Sequence, residues 1–165
     1  MEKTLQPNSR HCFVCGLSNN FGLGLRFYNL TEGEVSSECV IPEHFQGYPG
    51  IVHGGVVAAM LDEAAGRSLM IVPEAETEKP RFMFTARLDI RYRNNVPVGK
   101  PLRLVGKTVR SKARMAQAEA FLYDQSGILL AQADALLIDV PEEMLQANNL
   151  DDLGWKIYPE EGMGI

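Results

Sequence analysis

His53, Gly54, Gly55, Asp62 and Glu63 are the residues of this chain whose types and spacing best fit chemistry. The glycine pair opens an apolar run that reads as a helix, and the two adjacent carboxylates lie inside it. A helix N-terminus presents unpaired backbone N–H groups at the positive end of its dipole. Such a terminus can hold a polarised carbonyl or an oxyanion, with an acid, base or nucleophile about two turns further along.

The two carboxylates differ in their surroundings. Glu63 precedes Arg67 by four residues, the favourable order for a helical ion pair, and that pair accounts for it without any function. Asp62 has Ala58, Ala59, Ala65 and Gly66 as helical neighbours and no basic partner on its own helix. An unpaired buried carboxylate is costly, and small neighbours leave room for another group to approach. A backbone amide or an arginine of another strand would also satisfy Asp62, but the glycine start and the small-residue face favour the functional reading. His53 could polarise a carbonyl, exchange a proton or fix the loop; alone beside glycines it reads first as loop-fixing.

Residues 55–72 are interrupted in their interior only by Asp62, Glu63, Arg67 and Ser68. A helix apolar nearly all round must be wrapped by the rest of the fold, and Pro73 is expected to end it. Before it, residues 23–28 and 34–40 read as short strands around a turn at Thr31-Glu32-Gly33, and 44–50 as a loop. After it, residues 85–93 alternate, with Leu88, Ile90 and Tyr92 inward and Arg87, Asp89, Arg91 and Arg93 outward. Strands at 102–110, 116–123 and 128–138 follow, the last two flanking the hairpin signal Asp124-Gln125-Ser126-Gly127. Short connections favour antiparallel neighbours. The expectation is an α+β fold, with a long central helix wrapped by a curved antiparallel sheet of about six strands.

The chain has 165 residues, enough for one domain with a real core. Residues 1–20 read as a polar arm, 21–140 as the domain, and 141–165 as an acidic tail that could start a short helix at Glu142 or stay irregular. The first residues lack the apolar core of a leader, and no apolar run is long enough to span a bilayer. Three cysteines without framework spacing favour a reducing compartment, so a cytoplasmic protein with no membrane partner is expected. Net charge is −5, yet residues 79–114 hold eleven basic residues and one acid, Asp89. That excess suits either an anionic partner or a solvated strand face paired with acids elsewhere. Phe82 and Phe84 lie near its start, but no RNA-binding motif accompanies them, and no nucleic-acid partner is expected.

The stretch His53-Gly54-Gly55-Val56-Val57-Ala58-Ala59-Met60-Leu61-Asp62 resembles the signature of hotdog-fold acyl-CoA thioesterases of the PaaI-like/4-hydroxybenzoyl-CoA group, which place an acid nine residues after the histidine. The likeness extends to Phe45-Gln46-Gly47-Tyr48-Pro49-Gly50 before it and residues 85–92 after it. The resemblance implies a homodimer, or a dimer of dimers forming a homotetramer, with active sites at the subunit interface. Asp62 would be general base or nucleophile, the Gly55 N–H would polarise the thioester carbonyl, and Gly54 would border the substrate. Thr85 would reach the site from the partner subunit to orient water or the acid, although a threonine is also an ordinary strand former. His53 takes a supporting role. Many relatives carry Asn where this chain has Gly47, and Gln46 is the candidate to replace that amide.

Coenzyme A carries a pyrophosphate and a 3′-phosphate, which Arg and Lys bind well. The positions matching the phosphate-binding region of relatives are Arg91, Arg93, Lys112 and Arg114. No cofactor is expected. Cys12-Phe13-Val14-Cys15 beside His11 has the spacing of half a zinc site, but no second pair follows and Cys39 stands apart, so a structural lid or packing element is favoured over a metal. The leading expectation is therefore hydrolysis of an acyl-CoA thioester. A hotdog hydratase or dehydratase, and a non-catalytic acyl-CoA-binding protein, are the alternatives.

Overall fold

A computed structural model describes residues 3–70, 81–147 and 150–158 of the chain. One antiparallel sheet contains β1 (Thr4–Leu5), β2 (Tyr28–Thr31), β3 (Glu34–Val40), β4 (Met83–Tyr92), β5 (Pro101–Ser111), β6 (Met115–Asp124) and β7 (Leu129–Asp139). Their spatial order is β1-β2-β3-β5-β6-β7-β4, so β4, the strand that follows the helix in sequence, forms an edge. The helix α1 (Gly54–Arg67) lies against β3 to β7, and this helix-in-sheet arrangement is the expected hotdog fold.

The helix sits close to β6 and β7 because much of their inner face is alanine. Ala116, Ala118 and Ala120 on β6 and Ala131, Ala133 and Ala135 on β7 are buried alternate positions on the inner face. Val57, Met60, Leu61, Ala64 and Ala65 of α1 are buried against them. Close approach of this kind gives core packing density without long interdigitating side chains.

Four local expectations are corrected. The sheet has seven strands, because β1 within the N-terminal arm adds to it through Thr4 opposite Asn29 and Leu5 opposite Tyr28. Of the strand expected at 23–28, only Tyr28 is in a strand. The N–H groups of Leu23 and Leu25 instead donate to Phe13 and Val14 carbonyls, so the arm satisfies that backbone in place of a ladder. The helix stops at Arg67, with Pro73 outside the described residues. At its end Ser68 Oγ donates to the Ala65 carbonyl at 2.8 Å and Thr108 Oγ1 donates to the Ser68 carbonyl at 3.0 Å, giving carbonyls of the last turn non-helical partners. Finally, Tyr92 lies on the inner side of β4 yet is 54% exposed, because an edge strand has no neighbour beyond it.

The arm packs down firmly: Asn8 is buried, and its Nδ2 donates to the carbonyls of Cys15 (2.7 Å) and Leu25 (2.8 Å). Past the sheet, α2 (Glu142–Ala147) starts at the glutamate where a helix was one of two readings, and α3 (Leu150–Leu153) follows. Among the described residues, no helix is long and apolar enough to cross a membrane.

Candidate active site

Asp62 lies on the third turn of α1, half-buried, with the small face around it intact. Its partner is Thr85 of β4, whose hydroxyl donates to Asp62 Oδ1 at 2.6 Å. A charge-assisted O–H···O⁻ bond of this length is among the stronger hydrogen bonds proteins make. Among the described residues no Asp62 ion pair is present, so the alternative of an arginine partner from another strand does not hold.

Thr85 reaches Asp62 because β4 breaks its own alternation. Thr85 pairs with Leu137, and Arg87 pairs with Leu136, leaving Ala86 as an extra residue in a β-bulge. Unbroken alternation would put Thr85 on the outer face with Arg87, Asp89 and Arg91. The bulge turns Thr85 inward, opposite buried Leu137, while Arg87 stays outward, opposite half-buried Leu136. One consequence corrects the sequence reading: the alternating register of 85–93 holds only from Arg87 onward. Within the chain, Thr85 meets Asp62.

At the other end of the site, His53 is the N-cap of α1, and its Nδ1 accepts the Gly55 N–H at 3.0 Å. The histidine therefore carries its Nδ1 lone pair toward the helix and acts as the capping acceptor usually supplied by Ser, Asp or Asn. The Gly55 N–H, expected to face a thioester oxygen, is engaged by this ring. Gly54 and Gly55 are both exposed. Tyr92 Oη donates to the Gly54 carbonyl at 2.8 Å and ties β4 to the helix start.

Position 47 is glycine for a local reason. A Cβ there would stand 3.3 Å from the His53 Cα and Cδ2, tighter than most real contacts. Gln46 Oε1 accepts the Gly50 N–H at 3.1 Å, so its side chain closes the loop before His53.

One chain does not bring the whole set together. Gly55 and Asp62 lie on one helical face but seven residues apart, about 10 Å along the axis, beyond the reach of one carbonyl. The basic residues divide as well. Arg91 pairs with Gln132 near one end of β7, whereas Met115, next to Arg114, pairs with Ile138 near the other. Six strand residues separate the two pairings, roughly 20 Å. Arg93 Nε donates to Gln132 Oε1 at 3.1 Å, and the Lys112 carbonyl accepts from Arg81. A groove of about 630 Å³ on the sheet's outer face is lined by Arg87, Asp89 and Arg91, on the side away from Asp62.

Among the described residues, four groups titrate away from their usual range. Burial raises Glu63 to about 7 against the pull of Arg67, whose Nε donates to Glu63 Oε1 at 2.8 Å, the ion pair the sequence implied. A hydrogen bond from Cys15 lowers Cys12 to about 6, while that bond and burial raise Cys15 to about 12. Burial, with Glu38 adding to it, pushes Cys39 up to about 12. The fully buried Arg67, held between Phe27 and Trp155, is the residue whose reach sequence reasoning missed; a lone arginine in an apolar helix was the available signal.

Comparison with known proteins converges on this region. The model of the family described as the thioesterase superfamily matches residues 49–131, from the loop before His53 into β7. The mouse (Mus musculus) acyl-coenzyme A thioesterase THEM5 is 34% identical over 68 residues, which cover 40% of this chain and 25% of that protein. The chain thus spans about a quarter of the length of that curated relative. Among solved structures, the thioesterase superfamily protein RHA08564 superposes with a TM-score of 0.66 at 26% identity, covering 78% of this chain and 63% of the other. The smu.793 protein of Streptococcus mutans UA159, bound to acetyl CoA, superposes with a TM-score of 0.60 at 17% identity, covering 70% and 88%, and shares the fold.

Proposed function

Because the chain belongs to the thioesterase superfamily, we propose that it hydrolyses an acyl-CoA thioester, with Asp62 activating water or attacking the carbonyl and Thr85 holding Asp62 in position. The observation that carries the reading is the 2.6 Å Thr85–Asp62 bond on a small-residue helix face beside an exposed glycine-rich helix start. Likeness to an acyl-CoA thioesterase and to a fold that holds acetyl CoA supports this substrate class.

The roles follow from geometry. Asp62 accepts a proton from water, or attacks directly, and charge develops on the thioester oxygen. A backbone N–H at the start of α1 stabilises that oxygen, and the CoA sulfur leaves as the carbonyl re-forms, taking up a proton; after direct attack, water then opens the Asp62 anhydride and frees the acid. In this scheme His53 yields the Gly55 N–H to the substrate oxygen and keeps the helix start in shape. Since about 10 Å separates Gly55 from Asp62 within one chain, the acid of one chain works with the helix start of another. The exposed edge β4 supplies the surface for that pairing, with Phe84 and Tyr92 43% and 54% exposed. Antiparallel β4–β4 contact about a two-fold axis sets Arg91 and Arg93 of one chain beside the partner's Lys112 and Arg114, gathering the basic residues for the CoA phosphates.

Thiol release from a panel of acyl-CoA esters tests the assignment. Asp62→Asn should lower turnover by at least about a hundredfold while leaving the melting temperature near that of the parent protein. Wild-type turnover in that variant would remove Asp62 from the chemistry.

A further inference from the structure

One residue from Asp62, on a different flank of α1, the N-terminal arm brings two thiols against a carboxylate that the hydrolytic scheme does not use. Cys12 Sγ lies 3.9 Å from Glu63 Oε2, and the sulfurs of Cys12 and Cys15 and a Glu63 oxygen all lie within 4.8 Å of one another. We propose that Cys12, Cys15 and Glu63 form a zinc-binding site that clamps the arm to the helix carrying Asp62.

Three independent features point to a metal. The first is spacing. Tetrahedral zinc, with bonds of about 2.3 Å to sulfur and 2.1 Å to oxygen, sets its ligands roughly 3.6–3.8 Å apart. The three atoms reach that spacing with movements of about 1 Å or less, within side-chain torsion. The second is the turn itself. A Cβ on Gly16 would stand 2.3 Å from the Cys12 carbonyl oxygen and 2.6 Å from its nitrogen, so only glycine lets the Cys-x-x-Cys turn close this tightly. Inside the turn the Val14 N–H donates to Cys12 Sγ at 3.3 Å, a bond that favours a sulfur carrying negative charge. The third is charge balance. Were a bound zinc to displace both thiol protons, two thiolates and Glu63 would carry three negative charges, which the divalent ion and Arg67 together balance.

Arg67 fits the arrangement as an orienting group rather than a competitor. Its Nε holds Glu63 Oε1 at 2.8 Å, leaving Oε2 turned to the sulfurs, and Nη1 is anchored on Gln6 Oε1 and the Pro7 carbonyl of the same arm. Metal ligands are commonly fixed by an outer bond of this sort. Thiolate donors select zinc over magnesium or calcium. Half-buried Cys12 gives an entry route, and water completes the coordination. The packing element expected from Cys12-x-x-Cys15 is thereby a metal-pinned one.

The full chain, reduced and freed of metal, is titrated with zinc and with cobalt. One equivalent bound per chain is expected, with sulfur-to-cobalt charge-transfer absorbance and protection of half-buried Cys12 from a thiol reagent. Cys12→Ser and Cys15→Ser should lose both signals, and Cys39→Ser, in β3 away from the cluster, should keep them. Absence of binding, zinc binding that leaves Cys12 as reactive as before, or stoichiometric binding retained in Cys15→Ser would overturn the proposal. Should a serine variant fail to fold, thiol protection in the unaltered chain decides alone. Neither readout depends on thioester hydrolysis.

Discussion

Gly106 of β5 lies beneath Ala64 of α1, and a methyl group added there would stand 1.9 Å from the Ala64 carbonyl oxygen and 2.6 Å from its carbon. A carbon and a carbonyl oxygen meet without strain at roughly 3.3 Å, so Gly106→Ala forces α1 away from β5 by about 1.4 Å. The strand cannot yield in its place, because Gly106 pairs with Val35 on one side and Ala120 on the other. Better strand propensity returns about 0.5–1 kcal/mol, while overpacking costs about 1–3 kcal/mol, so overpacking wins. A net loss up to about 2.5 kcal/mol lowers the melting temperature by up to roughly 10 °C. The effect on turnover should be larger. Ala64 is two residues from Asp62, and a retreat of about 1.4 Å stretches the 2.6 Å Thr85–Asp62 bond beyond hydrogen-bonding range. Misplacing a catalytic group by about 1 Å can cost on the order of a hundredfold. Thermal melts and thiol-release kinetics on the same preparation check both halves. A variant with unchanged melting temperature and kcat/KM would refute the packing argument, and one that melts early but turns over normally would refute the link to Asp62.

Thr85→Val keeps shape and removes the hydroxyl; kcat/KM should fall about tenfold or more, while Thr85→Ser stays within a few-fold, both read by thiol release. Gly55→Pro removes a single first-turn N–H at a position that tolerates proline and should be nearly inactive. Mixing it with Asp62→Asn under subunit exchange should restore about a quarter of wild-type activity, and no recovery would rule out a site shared between chains. Cys39 should resist alkylation at pH 8 in the folded protein and react once unfolded, as mass spectrometry of labelled peptides would show. The folded chain holds that proton to about 12 whereas the unfolded thiol releases it near 9, so this group's contribution to stability declines as pH rises through that interval, a slope Cys39→Ser should reduce in denaturant melts.

Periodicity and local chemistry made much of this molecule legible. The apolar run from Val56 could only be a wrapped helix, the alternating segments after it could only be strands, and short turns between them required antiparallel pairing. Asp62 stood out because its helical neighbours are the smallest side chains available, and Glu63 was set aside by Arg67 at the spacing of an ion pair; both are local relations. The bulge at Ala86 was not legible, because nothing in Thr85-Ala86-Arg87 departs from alternation. It arises from fitting β4 to β7 around the helix, and it alone turns Thr85 from the outer face toward Asp62. The same holds for the arm, whose cysteines meet Glu63 some fifty residues away in sequence. Sequence by itself determined which residues belong to helix and sheet and which carboxylate stands without a local partner, since those follow from spacing along one element. Which face Thr85 shows and what the arm's cysteines meet were decided only by tertiary structure, because each depends on how two elements register against each other.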